Sequence, residues 1–467
     1  MSPESAIYQH CLERLGTPGK WELLFDEGKL IDGRAPRLPG SLAIENPLAA
    51  PSSTMGKPDA VYLRSDATVP VVHDGEVLDI FQNLAAADLY PRFFRAGEPQ
   101  HFLLDPCEIR AGIMVAGGNA ASLNMVVDSI AKRLTALASL RCGDPNFRPR
   151  LLGYEGGYIG LKGGHYHNGN LTIEDTDPRA LDPCIFLKTL RGSHFDDLES
   201  AGAREELEGL ADGVMRDDLN VLFVVGGNGT FTWAHALWCL LRDRGYRLAL
   251  VGGPKTMDYD LRFADATFGF RTAVDQAVDH IRTAHWEAES QDRIAVVELF
   301  GAGSGFIALH AGFLSGVADV ILIPEFRYPA ESILARVKER LAKRRHALIV
   351  VAEGALLDFE HGQSHKKELA FASLVGKLRE CFPGVGLVDV RPRYLIRGTT
   401  PRSYDLDLAK YTGYLMVDTA LRGFTDCSVQ LWQNEYVLVP LALAAASPNK
   451  VPLWSPYFWY MAQRYLI

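Results

Sequence analysis

One short segment of the sequence combines a cation, a hydroxyl and two carboxylates. Residues 254–260 read PKTMDYD, which supplies Lys255, Thr256, Asp258 and Asp260 within six residues. Phosphoryl transfer to a hydroxyl needs such a set: a carboxylate accepts the hydroxyl proton, and cations surround the moving phosphoryl group. If the segment is extended, the two aspartates point to the same side of the chain. The alternative is an Asx-type turn with solvated acids.

Three glycine pairs each follow a β-rich run. The first is Gly117 and Gly118, the second lies in GGNGT at 226–230, and the third is Gly252 and Gly253. Backbone amides and helix N-termini at the carboxyl ends of parallel strands favour anions. One such turn alone is usually structural. Three on successive strands predict a phosphate-binding edge.

Composition narrows the class of protein. The chain has 467 residues with 48% hydrophobic and 22% charged residues, typical of a folded protein with more than one domain. The net charge is −9 and no long basic run exists, so we expect no nucleic-acid partner. The longest apolar stretch, 436–446, is too short to cross a membrane, and the N-terminus resembles no leader. Seven scattered cysteines without a CxxC pair predict reduced thiols in a cytoplasmic protein.

The hydrophobic pattern predicts an α/β fold. Short β-rich runs alternate with helical patterns, for which a mostly parallel sheet covered on both faces is the usual solution. Helices are predicted to start near Ser122, whose hydroxyl is able to cap the first of them, to cover 234–241, and to span 271–289. About 105 residues rich in Pro and Gly precede this pattern. The β-rich runs are 112–116, 219–225, 248–252, 295–300, 318–323 and 347–352.

The order of the motifs resembles the phosphofructokinase family. After the glycine turns and PKTMDYD come VVELFGAGSGFIAL at 296–309, ILIPE at 321–325 and YLIRG at 394–398. The extension and the lysine of PKT most resemble the long ATP-dependent members of plants and trypanosomatids. The resemblance implies a two-lobed α/β fold with parallel sheets flanked by helices. It also implies an N-terminal extension (1–108), a phosphate-donor lobe (109–255) and an acceptor lobe (256–467) whose C-terminal segment packs back on the core.

The resemblance assigns roles on the acceptor side. Asp258 would deprotonate the acceptor hydroxyl, with Lys255 and Thr256 against the transferred phosphoryl group. Arg293 matches an arginine that the family donates across a subunit interface, which implies a homodimer or homotetramer with shared sites. The small-molecule partners would be a sugar phosphate and a nucleotide. The residues implied to bind substrate are Asp260, Arg293, Gly301, Glu325, Tyr394 and Arg397.

The resemblance also assigns the donor side. Asp260 and Asn228 would hold Mg²⁺. Members that use pyrophosphate carry an acidic residue where Gly229 stands, so its missing side chain favours ATP. Lys255 is shared with pyrophosphate users and keeps pyrophosphate open as a donor. The residues implied to bind the nucleotide are Gly117, Gly118, Tyr154, Arg191, Gly227, Asn228, Gly229 and Thr230.

Several positions depart from the family pattern. Asn228 replaces an aspartate, Ala302 replaces an arginine, and the bulky run 231–233 predicts a more apolar nucleotide pocket. Three hypotheses follow. The first is phosphoryl transfer from ATP to the 1-hydroxyl of fructose 6-phosphate. The second is a kinase repurposed for another hydroxyl compound, and the third is a catalytically silent ligand-binding subunit, which has no need of Asp258.

Overall fold

A computed structural model of the chain separates into two compact units. Unit 1 contains Met1–Lys255, Leu261–Thr267 and Leu406–Ser447, and unit 2 contains Thr256–Asp260, Phe268–Asp405 and Pro448–Ile467. The sequence-based lobes were continuous segments, whereas both units are discontinuous. The structure describes residues 11, 23–26, 29–39, 44–45, 66–72, 82, 86–190, 198, 202–358, 367–453, 455–463 and 465.

Unit 1 is built on a nine-stranded sheet of order β4-β5-β19-β18-β11-β10-β7-β8-β9. The five strands β18, β11, β10, β7 and β8 are mutually parallel, and the remaining pairings are antiparallel. The bounds are β4 (Thr68–Pro70), β5 (Arg92–Arg95), β7 (Arg110–Val115), β8 (Arg150–Tyr154), β9 (Tyr166–Asn170), β10 (Val221–Gly226), β11 (Ala249–Pro254), β18 (Cys427–Trp432) and β19 (Glu435–Pro440).

Helices and small strand pairs complete unit 1. Two strands of the expected extension, β4 and β5, join the main sheet, and the late strands β18 and β19 return to it. The helices are α1 (Leu123–Cys142), α2 (Tyr158–Gly163), α3 (Ile173–Thr176), α4 (Ala203–Arg216), α5 (Asn228–Asp243), α11 (Ser403–Leu421, from Leu406 on) and α12 (Leu441–Ala445). The antiparallel pairs are β1 (Phe25–Asp26) with β2 (Lys29–Leu30), and β3 (Ile44–Glu45) with β6 (His101–Phe102).

Unit 2 is built on a parallel four-stranded sheet of order β13-β15-β12-β17, with a second parallel pair, β14 and β16. The strands are β12 (Ile294–Leu299), β13 (Val320–Leu322), β14 (Arg327–Pro329), β15 (Ala347–Ala352), β16 (Leu356–Asp358) and β17 (Leu387–Val390). The helices are α6 (Phe270–Ser290), α7 (Phe306–Ser315), α8 (Ala330–Arg344), α9 (Lys367–Cys381), α10 (Tyr394–Arg397) and α13 (Pro456–Gln463).

Each unit has its own hydrophobic core. In unit 2, all six residues of β12 and of β15 are buried, and the apolar stripe of α6 packs with them. In unit 1, β10 is buried along its whole length. Strands buried on both faces are typical of parallel sheets covered by helices. The α/β fold with parallel sheets is therefore confirmed.

Two local predictions are wrong. Ser122 stands at the N-cap position of α1, but its hydroxyl donates to the Ala121 carbonyl at 2.5 Å and caps no helix amide. Cys107 and Cys142 form a disulfide, so these two thiols are not free. The reason is tertiary: the 3-10 turn Pro106–Glu108 lies beside the end of α1, which the spacing of 35 residues does not reveal. Among the described helices, none has the length and apolar character needed to cross a membrane.

Candidate active site

The part of PKTMDYD that belongs to unit 2, Thr256–Asp260, forms a turn rather than an extended strand. β11 ends at Pro254, and Tyr259 has a φ of +58°, in the left-handed region. The Thr256 hydroxyl donates to Asp260 Oδ1 at 2.6 Å and accepts from the Asp258 amide at 3.2 Å. The segment is therefore not extended, and of the two alternatives stated from the sequence it takes the turn. One hydroxyl instead connects the two aspartates through a compact turn.

Neighbouring groups hold this turn in place. The Ser304 hydroxyl donates to the Asp258 carbonyl at 2.8 Å. Asn449 donates its backbone amide to the Asp260 carbonyl at 2.8 Å and its side-chain amide to the Tyr259 carbonyl at 3.2 Å. The Tyr259 ring stacks on Phe270 with centroids 4.7 Å apart. The Asp258 carboxylate is half-buried on a backbone fixed from both sides, as a proton acceptor requires.

Glu325 lies at the N-terminus of α7. Its carboxylate accepts the Gly305 amide at 2.9 and 3.1 Å and the Val451 amide at 2.9 Å. Burial raises the pKa of Glu325, while these backbone hydrogen bonds act to lower it. A side chain at Gly305 would place its Cβ 2.8 Å from a Glu325 oxygen, so glycine is needed for this close approach. Glu325 is thus anchored at the carboxyl end of the four-stranded sheet, just after β13.

Arg397 presents a positive charge close to the Thr256–Asp260 turn. Its guanidinium lies 4.7 Å from the centroid of the Phe300 ring, and its Nε lies 3.5 Å from the Met257 sulfur. Within the described residues it forms no ion pair with a carboxylate. Tyr394, one turn earlier on α10, is 72% exposed. A half-buried arginine held by aromatic and sulfur contacts can donate in parallel to the oxygens of a phosphate.

In unit 1, Lys255 connects the glycine turns. The side chain is 5% exposed, and its Nζ donates to the Gly118 carbonyl at 2.7 Å. A Cβ at Gly117 would lie 2.7 Å from this Nζ, and Gly117 has a φ of +86°, so glycine is required there. The Lys255 amide also donates to the Gly226 carbonyl at 2.9 Å. The turns after β7 and β10 therefore meet at one buried cation.

The GGNGT turn starts α5. Gly227 is the extended N-cap residue, and Asn228 is the first residue of the helix. Amides of a helix's first turn point outward and favour phosphate groups. A Cβ at Gly229 would meet no described atom within 4 Å, so this side of the turn is open. Phe231 and Trp233 are buried in the core of unit 1, so the expectation that they make the nucleotide pocket apolar is wrong.

Comparisons with known proteins identify the family. The sequence profile described as Phosphofructokinase matches residues 110–420, more than half of the chain. The chain belongs to the phosphofructokinase family. It is 31% identical to the ATP-dependent 6-phosphofructokinase of Trypanosoma cruzi, over 82% of this chain and 78% of that protein. It is 28% identical to the ATP-dependent 6-phosphofructokinase of Amycolatopsis methanolica, over 90% of this chain and 92% of that protein.

Solved phosphofructokinases share the fold. The pyrophosphate-dependent phosphofructokinase from Marinobacter aquaeolei matches with a TM-score of 0.62 at 20% identity, covering 76% of this chain and 91% of that one. The Pichia pastoris phosphofructokinase in the T-state matches with a TM-score of 0.61, covering 73% of this chain and 35% of that one. The resemblance inferred from the motifs is confirmed, and so is the phosphofructokinase-like fold.

Three of the predicted site residues do not join the groups described above. Tyr154 lies in the core, where its hydroxyl donates to Asp217 at 2.7 Å, so its position indicates packing rather than nucleotide binding. Arg191 lies outside the described residues. Arg293 stands at the N-terminal end of β12, roughly 20 Å along the strand from Phe300. Gly301 directly follows Phe300, and a Cβ there would lie 2.6 Å from the Ser304 carbonyl.

Sequence reasoning missed two residues that position the turn. Ser304 holds the carbonyl of Asp258, and its place within the small-residue stretch GAGSG was the available signal. Asn449 holds the carbonyls of Tyr259 and Asp260 from nearly 190 residues away in the chain. No local pattern marks Asn449, because only the folding of unit 2 brings it to the turn.

We expect Glu325→Ala to lower the free energy of unfolding by about 1–2 kcal/mol. The substitution leaves the Gly305 and Val451 amides without their acceptor. Urea unfolding followed by circular dichroism measures the change. Glu380→Ala is the matched control, because Glu380 forms only an exposed pair with Lys377 and its loss should have little effect. Equal stability of the two variants would contradict the anchoring role of Glu325.

Proposed function

We propose that the protein transfers the terminal phosphoryl group of ATP to the 1-hydroxyl of fructose 6-phosphate. The observation that carries this proposal is the turn in which Thr256 connects Asp258 and Asp260 while Ser304 fixes its backbone. Membership of the phosphofructokinase family and the names of the Trypanosoma and Amycolatopsis relatives support the substrates. A cytoplasmic location stays a prediction.

The chemistry assigns one task to each group of the turn. The Asp258 carboxylate takes the proton of the acceptor hydroxyl. The hydroxyl oxygen attacks the γ-phosphorus of ATP at the same time, and ADP leaves. The Lys255 ammonium lies against the phosphoryl oxygens and stabilises the charge that develops there, while the Thr256 hydroxyl, whose single hydrogen goes to Asp260, holds the turn beside them. Asp258 ends the step protonated and returns the proton to solvent.

On the acceptor side, Arg397 and Glu325 hold the sugar phosphate. The Arg397 guanidinium, which faces Phe300 and Met257, donates to the 6-phosphate, with exposed Tyr394 beside it. Glu325 accepts a hydrogen bond from a sugar hydroxyl in addition to its backbone partners. Gly301 follows β12 with a φ of +134°, and its missing side chain lets the turn approach the Ser304 carbonyl closely.

On the donor side, the turns after β7 and β10 hold the nucleotide phosphates. Gly117, Gly118 and Gly227 contribute backbone groups to these turns. Thr230 lies in the first turn of α5. The open space beside Gly229 admits the α-phosphate of a nucleotide, which supports ATP over pyrophosphate. Pyrophosphate remains the alternative donor, because Lys255 suits both ATP and pyrophosphate.

The residues present fit a Mg²⁺ ion. Asp260 offers carboxylate oxygens, the ligand type that Mg²⁺ takes in proteins, on a turn fixed by hydrogen bonds. Asn228 offers a neutral amide oxygen as a further ligand. Mg²⁺, when bound, neutralises negative charge on the donor phosphates. The protein's own part is to orient Asp260 through the Thr256 hydroxyl.

Arg293 supports a homo-oligomer with shared sites. The residue precedes β12, whereas Gly301 and Arg397 lie near the other end of that strand. Its side chain is partly exposed and near Glu287, with 3.9 Å between the nearest oppositely charged atoms. An arginine placed there cannot reach the sugar phosphate of its own unit 2, and we propose that it serves the site of a neighbouring copy.

A second candidate is a phosphotransferase with a different hydroxyl acceptor. Ala302 stands in the turn after β12 where the family pattern has an arginine, which removes a cation next to Gly301. The silent-subunit hypothesis is less well supported, because Asp258 is retained on a turn that Ser304 and Asn449 hold rigidly.

We expect Asn228→Asp to lower the Mg²⁺ concentration for half-maximal activity by roughly tenfold, because a carboxylate adds negative charge beside the donor phosphates. Initial rates over a Mg²⁺ series at saturating ATP and fructose 6-phosphate measure this. Asn146→Asp is the control, since Asn146 is exposed in the loop before β8. A loss of activity in Asn228→Asp would instead indicate a site reshaped for another substrate.

A thermal-shift screen of the full chain tests the proposed ligands. ATP, ADP, pyrophosphate, fructose 6-phosphate and fructose are each added with Mg²⁺, since a true ligand raises Tm by mass action. We expect shifts with ATP, ADP and fructose 6-phosphate, and none with fructose. Stabilisation by pyrophosphate but not by nucleotides would reverse the choice of donor. A response to ATP alone would favour a different acceptor.

A further inference from the structure

We propose that His285, Glu289 and His346 form a zinc site in unit 2, built from residues that the proposed phosphoryl transfer does not use. His285 and Glu289 lie one turn apart on α6, and His346 directly precedes β15. One ligand atom from each of the three side chains lies within 4.8 Å of the other two. This spacing suits three ligands around one small cation.

The two histidine rings are buried and pack edge to face. His285 is 9% exposed and His346 is 5% exposed, and their ring centroids are 5.1 Å apart. Nδ1 of His285 and Nε2 of His346 are buried, and neither finds a hydrogen-bond partner within the part of the chain that the structure describes. Buried ring nitrogens normally have partners. A cation bound between the rings would account for both.

His346 is oriented as metal-binding histidines usually are. Its Nδ1 lies 3.0 Å from the Arg344 carbonyl, which can only accept, so Nδ1 carries the hydrogen and Nε2 keeps its lone pair. A backbone carbonyl on the second ring nitrogen is a common outer partner of zinc-bound histidine. The hydrogen bond thus fixes the ring with its ligating nitrogen in the buried space.

The surrounding charges are mixed, with two carboxylates and two arginines that pair with one of them. Glu289 brings an exposed carboxylate, with an oxygen 3.9 Å from His285 Nε2. The buried carboxylate of Asp319 also acts on His285 and is itself paired with Arg340 at 3.1 Å and more loosely with Arg344 at 3.9 Å.

The ligand set selects the metal. Two imidazoles and one carboxylate suit Zn²⁺, which takes nitrogen and oxygen ligands in a tetrahedral arrangement completed here by water. Mg²⁺ prefers all-oxygen sites, so it does not compete. A bound Zn²⁺ would fasten the C-terminal part of α6 to the start of β15 and stabilise unit 2.

Isothermal titration calorimetry with ZnCl₂ tests the site on the full-length protein after EDTA treatment, with excess Mg²⁺ present to occupy oxygen-rich sites. We expect one Zn²⁺ per chain. Glu289→Gln should weaken binding at least about tenfold, and His346→Gln by more than that. His280→Gln is the matched control, because His280 lies on the same helix five residues before His285. Co²⁺ added in place of Zn²⁺ should give the strong visible absorption of a four-coordinate ion.

Each result decides the proposal. Equal Zn²⁺ affinity in wild type, Glu289→Gln and His346→Gln would overturn it and assign binding to other surface groups. The proposal is also overturned if Zn²⁺ shows no saturable binding, or if His280→Gln weakens Zn²⁺ binding as much as Glu289→Gln and His346→Gln do. Should His346→Gln fail to fold, Glu289→Gln still decides, because Glu289 is exposed and its substitution leaves the core intact.

Discussion

Replacement of Asp258 by asparagine should lower turnover by roughly a hundredfold or more while leaving ligand binding nearly unchanged. Asparagine keeps the size of the side chain but cannot accept the proton of the attacking hydroxyl. The backbone contacts of the turn, from Ser304 and Thr256, are made by main-chain atoms of residue 258 and survive the substitution. Steady-state kinetics with varied ATP and fructose 6-phosphate separate kcat from KM.

Asp275→Asn provides the control for this experiment, because Asp275 is an exposed aspartate on α6. It should leave kcat within about twofold of wild type. A rise in KM with unchanged kcat in Asp258→Asn would show that Asp258 only binds substrate. An unchanged rate would remove Asp258 from the mechanism altogether.

Lys255→Met should also lower kcat by roughly a hundredfold, the usual cost of removing one preorganised group that stabilises transition-state charge. Methionine keeps the length and apolar stem of the side chain, so the buried space beside Gly117 stays filled. The substitution removes the Nζ that donates to the Gly118 carbonyl. The resemblance places the transferred phosphoryl group against this lysine. Rates at saturating substrates measure the effect.

Lys338→Met is the comparison for Lys255→Met, since Lys338 is exposed on α8. Melting temperatures of both variants report whether the loss reflects folding. A stable Lys255→Met protein with wild-type kcat would show that Lys255 serves only to join the turns after β7 and β10. In that case the phosphoryl group must be stabilised by other cations.

The parallel strands could be predicted from the sequence because they are buried on both faces. β10 and β15 have no polar alternation, and their apolar runs end at clear turns. β18 and β19 were not predicted, although they complete the sheet of unit 1. They pair with each other around a two-residue turn at Gln433 and Asn434, a local signal in the sequence, whereas their pairing with β11 and β5 depends on tertiary contacts that periodicity does not encode. The disulfide between Cys107 and Cys142 escaped prediction for the same reason.

The residue types of the candidate site could be predicted, but the geometry of its central turn could not. PKTMDYD contains no glycine, and nothing in it signals that Tyr259 adopts a positive φ. That conformation is stabilised by stacking on Phe270 and by the hydrogen bonds from Asn449, which both come from distant segments. The expectation of an extended segment was based on the local sequence alone and could not include these contacts.

The most direct test of the proposed reaction is ³¹P NMR of the full-length protein mixed with ATP, Mg²⁺ and fructose 6-phosphate. The account predicts that the γ-phosphate signal of ATP falls as ADP and fructose 1,6-bisphosphate appear in equal amounts, and that Asp258→Asn abolishes this exchange on the same time scale. If the protein binds ATP and fructose 6-phosphate in the thermal-shift screen yet forms no fructose 1,6-bisphosphate, the central claim is contradicted.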